Sequence, residues 1–200
     1  MTAEPSVVLV EGTSDQLAVE ALAARLGRDL AAEGVVVQPM GGATNIGHHL
    51  GRLDARVARS RVYGLCDAGE VGAFLRALER AGAGTDLREA DLDELGFFVC
   101  VADLEDELIR AVGPEGVEQL IADVGEHRSW RTFQSQPAQR GRPLDAQLRR
   151  FIGTRSGRKA RYAPLLVQAL DLARVPAPLA RLVARTAEDT AVAEGAERQR

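Results

Sequence analysis

Apolar residues come in short unbroken runs along the first half of the chain, at residues 7–10, 35–37, 62–66 and 97–101. Each run is bounded by glycine, proline or polar residues. Runs this short and this continuous predict strands buried on both faces. Between them the period lengthens. Leu17, Ala21, Leu22 and Leu26 recur at helical spacing, so a helix is expected over residues 14–26, with Gly27 as its stop. Thr13 and Gln16 suit a reciprocal capping box at its start. The glycine-containing 40-MGGATNIGHHL-50 leads into a second helix, and further helices are expected over 71–81 and 104–112. Asp103 caps the last of these, and Gly113-Pro114 closes it. Strands alternating with helices predict an α/β fold, a mostly parallel sheet with helices on both faces.

From about Glu115 the pattern changes. No strand-like run follows, and helices are expected over 144–152, 162–172 and 178–185. The expected organisation is an α/β core over residues 1–113 and a helical C-terminal part over 114–185. That part would pack on the core and complete its site. A polar tail rich in Ala, Glu and Arg, residues 186–200, is expected to be disordered.

Two hundred residues suffice for one sizeable core, and a hydrophobic fraction of 46% excludes global disorder. Aromatic residues make up only 4%, so Leu, Val and Ala must build the interior. Cys66 and Cys100 sit inside apolar runs, which suits buried thiols better than a disulfide or a metal knuckle. His48 and His49 have no partners at zinc-ligand spacing, and with the Gly41-Gly42 turn they are read as structural. No run approaches the ~18–20 apolar residues that span a bilayer, and the N-terminus does not read as a signal peptide. The expectation is a cytoplasmic protein with no membrane partner. A phosphate-binding loop of the ATPase kind is absent from the sequence.

The net charge of −4 conceals an asymmetry. Residues 128–161 hold nine arginines and Lys159 against a single acid, Asp145, with Trp130, Phe133 and Phe151 interleaved. Such a stretch suits contact with phosphates. The alternative is a solvated face whose aromatics belong to the core. Lys159 is the only lysine in the chain.

The acids carry the candidate chemistry. Parallel sheets bind ligands at the carboxyl ends of their strands. Glu11 follows the first strand, Asp67 ends the third, and Asp103 and Glu105 lie just past the fourth. Asp15 and Glu70 stand in the adjoining turns. Acids in the first turn of a helix complement its dipole, which taken singly accounts for Asp15, Glu70 and Asp106. Glu11, directly after a buried strand, is a poor cap. Taken together, carboxylates arriving from three strand ends suit Mg²⁺ or Mn²⁺, and paired ions of this kind serve phosphodiester chemistry.

The stretch 8-VLVEGTSDQLAVEAL-22 resembles the opening of a TOPRIM domain, a Rossmann-like metal-binding fold. The closer resemblance is to nucleases of the overcoming lysogenization defect (OLD) family. It rests on 11-EGTSD-15, 40-MGGATNI-46, 64-GLCDAGE-70, 103-DLEDEL-108 and the lysine-bearing 158-RKARYA-163, in that order. The resemblance implies a metal-dependent nuclease, a DNA endonuclease or nickase, using Mg²⁺ or Mn²⁺. Glu11 and Asp15 would bind one ion, with Asp67 shared or adjacent. Glu105 would bind a second ion beside Asp103, and Lys159 would stabilise charge on the scissile phosphate. Glu11, Asp67 and Lys159 are thus the expected catalytic set.

The chain departs from the family pattern at one point. The second aspartate of Asp-x-Asp is replaced by Gly69, with Glu70 following as a candidate substitute ligand. Arg149, Arg150, Arg158, Lys159 and Arg161 are the expected nucleic-acid contacts. DNA is expected ahead of RNA. Family members carry an ATPase domain that this sequence lacks, so the expectation is a stand-alone form or one served by a separately encoded ATPase. A homodimer is a further candidate assembly. Two alternatives stay open: a degenerate TOPRIM domain that binds without cutting, and a primase-like nucleotidyl transferase.

Overall fold

The computed structural model describes residues 5–57, 61–155 and 157–198, with side chains at 5–53, 61–155 and 157–188. Four strands form one sheet: β1 (Ser6–Val10), β2 (Val35–Pro39), β3 (Val62–Asp67) and β4 (Phe97–Cys100). They are parallel throughout, in the order β2-β1-β3-β4. Each falls on one of the four apolar runs. β3 runs one residue past its run and takes Asp67 into the ladder opposite Cys100.

The runs are unbroken because both faces of the sheet are covered. Val7, Leu9, Val62, Cys66 and Phe97 point to one side. There they meet α2 (Ile46–Val57), α3 (Val71–Arg80) and α4 (Glu89–Glu94) through Leu50, Phe74 and Leu92. Val8, Val10, Tyr63, Leu65, Phe98 and Cys100 point to the other. That side is covered by α1 (Thr13–Arg25) and by the later helices: α5 (Leu104–Val112), α6 (Pro114–Asp123), α7 (His127–Gln134), α8 (Leu144–Gly153), α9 (Arg158–Ala169) and α10 (Ala177–Arg198). The α/β sheet and the helical part therefore share one cluster of buried residues. Among the described residues, no helix is long and apolar enough to cross a membrane.

β3 runs through the tightest part of the sheet. A Cβ on Gly64 would lie 2.7 Å from the Leu9 carbonyl oxygen and 2.9 Å from the Phe97 ring. Only glycine lets the strand pass there.

The structure differs from the sequence expectations at three places. The cap of α1 is shifted by one residue. Gly12 has the extended backbone of an N-cap, and its N–H donates to the Asp15 carboxylate at 2.9 Å, while Thr13 lies within the helix. Helices α4, α6 and α7 have no counterpart in the expected set. α4 has six residues with Leu92 as its one buried position, too few to display a period. The polar tail, expected to be disordered, continues α10 as helix to Arg198. Ala, Glu and Arg are among the strongest helix formers, so the composition that suggested disorder equally suits a helix anchored at Leu179 and Leu182.

Candidate metal centre and its basic surround

Sheet order reverses between β1 and β3. From β1 the chain moves outward to β2, then crosses back to β3 on the other side. At such a switch point the following loops leave in opposite directions and open a crevice at the carboxyl ends. Glu11 leaves β1 on one side of it, and Asp67 ends β3 on the other. The loop after β2 braces this edge. Gly41 and Gly42 take positive φ of 72° and 124°, and Gly42 N–H donates to the Glu11 carbonyl at 3.1 Å. The loop thereby fixes the backbone at Glu11.

The carboxylates at this edge act on one another. Burial, and then the charges of Glu11, Asp15, Asp103 and Glu105, push the Asp67 carboxyl up to about 7. Burial also pushes Asp15 up to about 7, followed by Glu105; the Gly12 hydrogen bond opposes the rise, Glu11 adds to it and Lys159 opposes it. Acids from the β1 end, α1, the β3 end and the start of α5 thus form one electrostatic unit, on the edge where strand order predicts it.

Each member is held differently. Asp103 is the N-cap of α5: its Oδ1 accepts the Asp106 N–H at 2.8 Å, and its Oδ2 accepts from the Arg149 guanidinium. These bonds anchor the start of α5 and leave each oxygen a further lone pair. Glu105 is 5% exposed. Its Oε2 lies 3.3 Å from Lys159 Nζ, and its Oε1 is buried with no hydrogen-bond partner. Burial lowers the Lys159 ammonium's affinity for its proton, but Glu105, Asp103 and Asp15 outweigh it and hold the charge more firmly than usual. Glu107 turns the chain between β4 and α5 by accepting the Val101 N–H at 2.9 Å. Glu70 stands beyond Asp67 in a short 3₁₀ turn, and its charge raises the Cys66 thiol, which is pushed up to about 12 chiefly by burial. Both cysteines are free and buried.

The unit is not a closed cage. Among the described residues, no group of three His, Cys, Asp or Glu side chains stands close enough to hold an ion. Its chemistry nevertheless fits a hard divalent cation. The donors are all carboxylate oxygens, as Mg²⁺ and Mn²⁺ prefer. The buried Glu105 Oε1 lacks a partner, a costly condition that a cation would relieve. Glu11, Asp15, Asp67 and Glu105 are the side chains that could hold it.

The basic segment divides into two populations. Trp130, Phe133 and Phe151 are core: all are buried, with ring centroids 5.1 to 5.8 Å apart. Arg158, expected to contact nucleic acid, is core as well. It is 5% exposed, donates to the Phe151 carbonyl at 2.8 Å, lies over the Phe151 ring and pairs with Glu126 at 3.2 Å. Its neighbour Arg161 also pairs with Glu126 but keeps half its surface exposed. Arg149 and Arg150 are exposed on α8. With Arg142 and Lys159 they line a cavity of about 530 Å³ that reaches Asp103. Sequence reasoning did not single out Arg142. Its only signal was membership of the arginine-rich stretch, which does not separate Arg142 from the buried Arg158.

A four-stranded parallel sheet with acids after its first and third strands fits a TOPRIM-type fold. More narrowly, residues 5–67 match the family model described as "Overcoming lysogenization defect protein-like, TOPRIM domain". Over nearly its whole length the chain is similar to the C-terminal region of the Xanthomonas campestris pv. campestris OLD protein, at 23% identity and a TM-score of 0.71, with 97% of each chain covered. It is also similar to the C-terminal region of the Burkholderia pseudomallei OLD protein, at 21% identity and a TM-score of 0.66, with 92% of this chain and 97% of that one covered. At these identities the likeness shows the fold. No curated protein matches the sequence. The OLD-like TOPRIM resemblance expected from the motifs is thus found independently in sequence and in fold.

Proposed function

We propose that this protein is a Mg²⁺- or Mn²⁺-dependent phosphodiester hydrolase acting on nucleic acid, with DNA the expected substrate. One observation carries the reading. Asp67 is pushed up to about 7 by burial and by the charges of Glu11, Asp15, Asp103 and Glu105. Four other acids bearing on one half-buried carboxylate are unfavourable for folding alone and are what cation binding requires. In this reading Glu11, Asp15 and Asp67 hold an ion. Glu105, with its unpartnered Oε1, takes part in the same site or in a second one. A bound cation would supply charge neutralisation at the scissile phosphate and a more acidic water. Lys159, half-exposed beside Glu105, contributes a compact positive charge toward a substrate phosphate. Arg149 holds Asp103 and so fixes the start of α5. A separately encoded ATPase partner is supported by the resemblance alone.

A second reading has its own support. Gly69 stands where the family carries an aspartate, and the described residues contain no cage of three ligands. Both facts favour a domain that binds nucleic acid without cutting it. One experiment separates the two: nicking of supercoiled plasmid with Mg²⁺ or Mn²⁺, beside the Glu11→Ala protein. Loss of one outer partner of a metal ligand typically costs about 10–100-fold, so loss of a ligand should lower cleavage by at least about a hundredfold. Cleavage that survives Glu11→Ala overturns the assignment of Glu11. Absence of cleavage by the folded parent supports the binding domain.

A further inference from the structure

A second cavity lies beside the first. It measures about 520 Å³ and is lined by Arg128, Arg150 and Arg155, the hydroxyls of Ser129, Thr132 and Thr154, and Gln139. It shares Arg150 and Thr154 with the cavity that reaches Asp103 and Lys159. The two therefore adjoin at α8, one reaching Asp103 and Lys159 and the other extending onto α7.

Three features mark this cavity as built for a ligand. Its three surface arginines are exposed. Among the described residues, none of the three forms an ion pair, whereas Arg149 and Arg161 on the neighbouring surface are both paired with carboxylates. No acid lines it. The floor is rigid: Phe133 and Phe151 are packed against Trp130, and Arg158 is locked beneath by Phe151, Thr154 and Glu126. Thr132 and Thr154 donate their hydroxyl protons to the Arg128 and Phe151 carbonyls, so the unpaired guanidinium groups, with the Ser129 hydroxyl, are the donors that suit phosphate oxygens.

We propose that this cavity is a second phosphate subsite, which grips the nucleic-acid backbone beyond the carboxylate edge through Arg128 and Arg155, with Arg150 as the bridge between the two. The inference rests on the nucleic-acid reading above. It adds a direction: one side of the bound strand runs along α8 to α7. It also adds a length requirement, because a fragment confined to the carboxylate edge leaves the second subsite empty.

The test uses the full chain in EDTA and fluorescein-labelled oligonucleotides of increasing length, with inorganic phosphate and a mononucleotide as short-ligand arms. Affinity of the parent should step upward at the length that reaches the subsite. The Arg128→Ala/Arg155→Ala protein should lose that step while binding the shortest oligonucleotides as the parent does. Its log–log salt slope on long single strands should be shallower by about 1.4, two contacts at about 0.7 each. A charge-matched control, Arg88→Ala/Arg174→Ala, lies outside both cavities and should keep the step. Equal affinity and equal salt slope for the cavity variant and the parent on long oligonucleotides would overturn the subsite and leave the nucleic-acid reading standing. Loss of the step in the control as well would reduce the effect to net charge and also overturn it. Tight binding of the mononucleotide, with no gain from length, would replace the strand subsite by a nucleotide pocket. A parent that binds no oligonucleotide of any length overturns the underlying reading.

Discussion

At the scale of single residues, Gly69 is the most informative position. It follows Asp67 by two and is exposed in the short 3₁₀ turn. A Cβ there would meet nothing within 4 Å, and its φ lies outside the left-handed region. Nothing in the backbone or the packing requires glycine, unlike at Gly64. An aspartate can therefore be restored without strain. Gly69→Asp should change stability by no more than about 0.5 kcal/mol, the usual range for an unencumbered surface change. It should also raise Mn²⁺ affinity on the order of tenfold, because affinity at oxygen sites follows the ligand charge count. Isothermal titration with Mn²⁺ reads the second effect directly. Unchanged affinity would mean that position 69 faces away from the ion. Glu70 is the other candidate for the missing acid, and the same titration tests it: a loss of Mn²⁺ affinity on the order of tenfold in Glu70→Ala makes it a ligand, and an affinity within about twofold of the parent makes it a helix-start acid only.

Among the elements, the strands were legible and several helices were not, for a physical reason. A strand buried on both faces writes an unbroken apolar run, and all four were readable from such runs, including the ends that carry Glu11 and Asp67. A short helix with one buried residue, such as α4, writes no period. α7 buries Trp130 and Phe133, yet two apolar positions among polar and basic neighbours are too few to establish a period. The same ambiguity affected Arg158, whose burial depends on Glu126 and Phe151 contributed by other elements. Charge in a sequence says nothing of where its partner will stand. β3 carries the clearest consequence at this scale. Its Gly64 lies against the Leu9 carbonyl of β1 and the Phe97 ring of β4, so the approach of three strands depends on a missing side chain. Gly64→Ala should destabilise the protein by about 1–3 kcal/mol, as overpacking does, despite alanine's lower entropy cost in the chain. Urea unfolding checks it. A variant as stable as the parent would show that the sheet opens there without penalty.

Across the whole molecule, the carboxylate edge is a store of repulsion assembled from parts far apart in sequence. β1, α1, β3 and α5 each deliver acids to it, and α9 delivers Lys159 as partial compensation. Burial and this mutual repulsion push both Asp15 and Asp67 from the ordinary 3.8 up to about 7. The sign of the consequence follows from linkage. Between pH 4 and 7 the folded chain holds protons on these groups that the unfolded chain has released. Their contribution therefore favours folding at low pH and turns against it as pH rises through that window. In EDTA, Asp67→Asn removes one charge from the unit and relieves its neighbours. The variant's urea midpoint minus the parent's should thus grow more positive from pH 5 to pH 8. At pH 8, Mg²⁺ should raise the midpoint of the parent more than that of the variant, since a cation bound only by the folded chain offsets the same repulsion. A difference that stays flat with pH would mean that Asp67 is solvated like an ordinary surface acid. In that case the repulsion, and with it the main support for a metal site at this edge, would be lost.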